Sequence, residues 1–155
     1  MKKILLVEDV NVKADLIIQY IRMNFPDIEI DRRESYNSAI KTIFNEYDKY
    51  NLILLDMSMS TFDVSVEESG GVPEPIAGKR ILDGMFLRDI PIKVVVVTMY
   101  ENFDGIKLNE LNNNLKNCYP DNYYNYVFFS FQKNDWQEKL KQLIKEIIYG
   151  KDINN

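Results

Sequence analysis

A chain of 155 residues with 46% hydrophobic and 28% charged residues suits one folded domain with a good core, and is not the composition of a disordered chain. The formal net charge of -5 argues against duplex nucleic acid as a direct partner, because such binding needs a basic face to displace counterions. One cysteine, Cys118, excludes an intrachain disulfide and fits a reducing cytoplasm, while the lack of histidine removes Ser-His and Cys-His pairs and histidine metal sites.

In chain order, Lys3 to Val7 reads as a buried first strand. Glu8 and Asp9 cut its apolar run short, so it is neither a signal peptide nor a membrane span. Val12 to Phe25 has helical spacing through Ala14, Ile17, Ile18 and Ile21, with Pro26 just beyond. Ile28 and Ile30 mark a short strand. Ser35 is a candidate N-cap for a helix whose apolar face is Ala39, Ile40, Ile43 and Phe44. Leu52 to Leu55 is a fully apolar strand ending at Asp56. Met57 to Pro75 reads as a loop containing Gly70-Gly71, and Gly78 to Arg88 returns to helical spacing.

Ile92 to Val97 is the strongest strand, β-branched except at Lys93. Glu101 to Asn117 carries a weak helical pattern through Leu108, Leu111 and Leu115. Tyr126 to Phe131 is a last strand. Asp135 is expected to cap a final amphipathic helix through Trp136, Leu140, Leu143, Ile144 and Ile147. Residues 1–150 thus form one expected domain, with 151–155 as a flexible tail. Alternating strands and helices imply an α/β fold, a five-stranded parallel sheet between two helical layers.

In such sheets the crevice lies beyond the carboxyl ends of the strands. Glu8 and Asp9 follow strand one, Asp56 strand three, Thr98 strand four, and Lys133 lies just past strand five. Three carboxylates sharing a crevice repel one another and favour a divalent cation, and oxygen ligands suit Mg2+. A carboxylate beside such a cation can attack a phosphoryl group, with a lysine and a hydroxyl receiving its oxygens.

The stretches Ile4 to Asp9, Leu52 to Met59 and Val94 to Thr98, in this order along the chain, resemble the receiver domain of two-component response regulators. The resemblance spans nearly the whole chain. It implies a flavodoxin-like strand order of 2-1-3-4-5. It also implies Glu8 and Asp9 as the metal-binding acidic pair, Asp56 as the phosphoacceptor, the Ser58 backbone carbonyl as a further metal ligand, and Thr98 as the switch hydroxyl. With no histidine, the chain cannot itself be the histidine partner of a phosphorelay.

Three features depart from the family pattern. Ala77-Gly78 resembles the Asp-Gly that opens helix three, but the family reaches that glycine within a short turn, whereas here residues 57–76 intervene. That stretch carries Asp63, Glu67 and Glu68 and suits either a lid, a partner surface or a tolerated insertion. Met99 stands where the family has a small residue, and Tyr100 follows. The Lys-Pro that ends strand five is absent. Counting back from the final helix selects Lys133 and puts Ser130 at the aromatic switch position, whereas counting from the strand selects Phe131.

The expected role is a signalling module, not a turnover enzyme. Asp56 would accept a phosphoryl group from a histidine kinase or phosphotransfer protein, with Mg2+ bound. Output would pass through a protein effector, without nucleic acid or membrane contact. The alternative is a non-phosphorylated pseudo-receiver that binds proteins. A Mg2+-dependent phosphohydrolase would usually place a second aspartate where Ser58 stands. A flavodoxin would need a phosphate loop where Glu8 and Asp9 repel phosphate.

Overall fold

The computed structural model describes residues 1–59 and 77–150. The main elements are β1 (Lys2–Val7), α1 (Asn11–Asn24), β2 (Ile28–Arg33), α2 (Tyr36–Glu46), β3 (Leu52–Leu55), α3 (Ala77–Leu87) and β4 (Val94–Thr98). A small hairpin follows, β5 (Asn102–Phe103) and β6 (Ile106–Lys107). The chain continues with α4 (Leu108–Cys118), β7 (Tyr123–Phe128) and α5 (Asp135–Tyr149). The main sheet is parallel, in the order β2-β1-β3-β4-β7. With the hairpin set aside, this is the expected order, and the sheet lies between two helical layers.

Side-chain alternation along the central strands divides the core. Leu5, Val7, Ile53, Leu55, Val94 and Val96 pack towards α2, α3 and α4. Ile4, Leu6, Leu52, Leu54, Val95 and Val97 pack towards α1 and α5. Strands buried on both faces cannot alternate with polar residues, which is why these segments are continuous apolar runs. Each aliphatic side chain so buried contributes about 1.5–3 kcal/mol. Ser35 caps α2 as expected. Its hydroxyl accepts from the Ser38 N–H at 3.2 Å, and the Ser38 hydroxyl accepts from the Ser35 N–H at 3.2 Å.

Several boundaries differ from the sequence expectation. Strand four begins at Val94, two residues late, because the Asn122 side-chain amide captures the carbonyls of Ile90 (2.6 Å) and Ile92 (2.9 Å). The last strand spans Tyr123–Phe128, not 126–131. Phe129 still donates its N–H to the Thr98 carbonyl at 2.7 Å, and its ring packs on Trp136 with centroids 4.9 Å apart, while Phe131 packs edge-on against Phe129. Asn134, not Asp135, is the N-cap residue of α5, and Asp135 starts its first turn. The 101–117 segment contains a hairpin ahead of its helix. Asp104 (φ 54°) and Gly105 (φ 87°) form its turn, the pair of positive φ angles that an Asp-Gly hairpin favours.

The chain leaves β3 and returns to almost the same point. The Gly78 N–H donates to the Met57 carbonyl at 2.9 Å. A Cβ on Gly78 would lie 3.0 Å from both the Asp56 carbonyl oxygen and the Met57 Cα. Only glycine lets α3 start this close to the strand end. Gly78→Ala is therefore expected to lose about 1–3 kcal/mol in urea denaturation, since the added methyl meets, besides the Met57 Sδ at 2.8 Å, two backbone atoms at 3.0 Å that cannot swing away. The proposed lid or partner surface with Asp63, Glu67 and Glu68 lies outside the described residues, as does the 151–155 tail.

Candidate functional site

The strand order reverses between β1 and β3, from which the chain runs outward to opposite edges. Brought side by side there, the carboxyl ends of these strands are joined by the Asp56 N–H donating to the Val7 carbonyl at 3.0 Å. Glu8, Asp9 and Asp56 meet at this point, each offering a carboxylate oxygen within 4.8 Å of the other two. Glu8 is 1% and Asp56 3% exposed, while Asp9 is half-buried at the rim. Arg32 grips the Glu8 carbonyl through Nε (3.1 Å) and Nη2 (3.0 Å), fixing the end of β1. The Ser58 N–H donates to Asp56 Oδ1 at 3.3 Å, so the chain turns around the carboxylate.

Thr98 ends β4 and is fully buried. Its hydroxyl accepts from the Tyr100 N–H at 3.1 Å, leaving the hydroxyl proton available to donate. Met99 is partly buried against the α1/α5 side of the core, and Tyr100 is exposed.

Lys133 is exposed and has no ion pair among the described residues. The ammonium among the carboxylates belongs instead to Lys13, which is fully buried. Its Nζ lies 2.5 Å from Glu8 Oε1 and 3.4 Å from Asp56 Oδ2, and donates to the Val97 carbonyl at 2.8 Å. Sequence reasoning missed this residue, although a signal was present. Lys13 lies on the stripe of α1 that carries Ala14, Ile17 and Ile21, where a solvent-facing lysine has no place.

Among the described residues the pocket carries surplus negative charge, with three carboxylates against one ammonium. Burial, and then the charge of Asp56, push the Glu8 carboxyl up to about 8, against the opposing pull of Lys13. Burial likewise raises Asp56, opposed by Lys13 and by its hydrogen bond with Glu8. Among the described residues nothing gives the buried Glu8 Oε1 a directed hydrogen bond, so its contact with Lys13 is one of charge. An all-oxygen donor set of this kind, with carboxylates in excess of the one ammonium beside them, fits a hard divalent cation.

No protein-family model matches the chain. It is 28% identical over 145 residues to the "Uncharacterized protein y4jR" of Sinorhizobium fredii, across 90% of this chain and 94% of that one. The phosphorylated cyanobacterial phytochrome response regulator RcpA superposes with a TM-score of 0.67 at 19% identity, over 97% of this chain and 96% of that one. The receiver domain of sensor histidine kinase PA1611 from Pseudomonas aeruginosa PAO1, with magnesium coordinated in its active site cleft, gives 0.60 at 18% identity, over 96% and 98%. These likenesses establish the fold as that of response-regulator receiver domains. No helix among the described residues is long and apolar enough to cross a membrane.

Proposed function

We propose that this chain is a receiver-like signalling module in which Asp56 accepts a phosphoryl group. The observation that carries this reading is the meeting of Glu8, Asp9 and Asp56 at the β1/β3 switch point, with Thr98 ending the adjacent strand. Glu8, Asp9, Asp56 and the Ser58 carbonyl would hold Mg2+, as the PA1611 receiver domain holds magnesium in its cleft. When bound, the cation supplies charge neutralisation for an incoming phosphoryl group. Asp56 supplies the attacking oxygen and Thr98 a hydroxyl for the transferred group. Donors would be a histidine kinase or phosphotransfer protein, and the output a protein effector in the cytoplasm. Chemistry at Asp56 would be limited to self-phosphorylation and self-dephosphorylation.

A second reading is a pseudo-receiver that binds proteins without being phosphorylated. It is favoured by one observation, the Lys13 ammonium already held between Glu8 and Asp56. Intact-mass measurement separates the two. With Mg2+ and acetyl phosphate the protein is expected to gain one phosphoryl group, and Asp56→Asn none. If the wild type gains no mass and beryllofluoride does not stabilise it, the phosphoacceptor reading fails.

A further inference from the structure

We infer that Lys13, delivered by helix α1, is the ammonium that receives the phosphoryl group on Asp56, and that Lys133 has no part in the reaction. The inference rests on the phosphoacceptor reading and assigns a residue within it. Lys13 reaches three strands at once, touching Glu8 after β1, Asp56 after β3 and Val97 within β4. The Val97 carbonyl accepts a hydrogen bond from the ammonium, and the two carboxylates pair with it by charge. The contacts are unequal. Glu8 and the Val97 carbonyl lie at 2.5 and 2.8 Å, whereas Asp56 Oδ2 stands at 3.4 Å. The Asp56 contact is thus the one most readily exchanged.

The reaction makes that exchange favourable. An Asp56 oxygen forms a bond to phosphorus. The bond from phosphorus to the donor's leaving group breaks, and its electron pair departs with that group. Asp56 thereby loses its negative charge while the attached phosphoryl oxygens carry charge of their own. The Lys13 ammonium exchanges its contact with Asp56 for one with a phosphoryl oxygen, and Glu8 and Val97 keep it in place. Because Val97 adjoins Thr98, lysine and hydroxyl are held by the same end of β4.

A stability role alone accounts poorly for this arrangement. A buried ion pair is often no more stabilising than apolar residues of the same volume, and α1 presents Ala14, Ile17 and Ile21 on this same face. Phe129, 5.9 Å from Nζ to ring centroid, borders the ammonium on the α5 side of the sheet.

The test compares wild type, Lys13→Met and Lys133→Met by acetyl phosphate labelling followed by intact mass, and by calorimetric titration with Mg2+. Lys133→Met is expected to match wild type in both. Lys13→Met is expected to label about 30-fold more slowly or worse, because one positive partner of the transferring group is lost. It is also expected to bind Mg2+ about tenfold more tightly, because the carboxylates lose their internal counter-ion. A merely structural lysine would weaken both readouts together. Lys13→Gln, with a polar tip, replaces Lys13→Met if that chain does not fold. Labelling of the Lys13 variant at the wild-type rate overturns the assignment, as does slow labelling of Lys133→Met. A wild type that neither labels nor responds to beryllofluoride overturns the phosphoacceptor reading itself, and this assignment with it.

Discussion

In metal-free buffer at pH 8, Asp56→Asn is expected to melt about 4–8 °C above the wild-type chain, from a gain of about 2 kcal/mol. The parent confines two acidic side chains, Glu8 and Asp56, almost completely out of water and beside each other. Asparagine keeps the shape and removes one charge. The gain depends on pH. Glu8 rises from about 4.5 to about 8 on folding. A group raised in this way contributes stability that is complete below its unfolded value and disappears as pH climbs through the folded value. The parent is therefore expected to lose stability steadily between pH 4.5 and 8. The variant loses less, since the second cause of the Glu8 shift is gone while burial remains. Thermal melts in chelator across this range check both slope and offset. A parent whose melting temperature rises over the same window contradicts the electrostatic description of the pocket.

Phe103→Ala is expected to cost about 3–5 kcal/mol by urea denaturation, the usual consequence of emptying a fully buried aromatic site. Phe103 is 1% exposed, although it belongs to a two-residue strand outside the main sheet. Its ring packs into the same core as Leu111, Leu115 and Tyr119 and meets Tyr100 edge-on at 6.5 Å. The residue thereby anchors the whole connection between Thr98 and α4. A loss below 1 kcal/mol would mean that the hairpin is not docked on the core.

The central strands and the acidic cluster were legible in the sequence because each rests on a local signal, whereas the sheet order was implied by the receiver-domain resemblance. Apolar runs such as Leu52–Leu55 have no other stable use, and residues directly after parallel strands must gather at one edge. The hairpin carried a signal too, the Asp104-Gly105 pair, but it is flanked by only two strand residues on each side, too few for periodicity to register. The end of the last strand was hidden by its composition. Tyr123 to Phe131 is largely aromatic, so no change of pattern marks the end of the strand at Phe128. The identity of the pocket's cation was harder still. Lys133 and Lys13 are equivalent as letters. Only the rotation of α1 turns Lys13 into the pocket, and only the early end of β7 leaves Lys133 outside.

The one-hydrogen-bond closure between Met57 and Gly78 has an evolutionary and practical corollary. Met57 and Gly78 hold the two ends of the intervening span side by side, at a separation that its length does not set. Doubling such a span adds only about 0.6 kcal/mol of closure entropy. A change in the length of that span is therefore expected to leave the register of β3 unchanged, because both of its ends are tied at the end of that strand, beside Asp56.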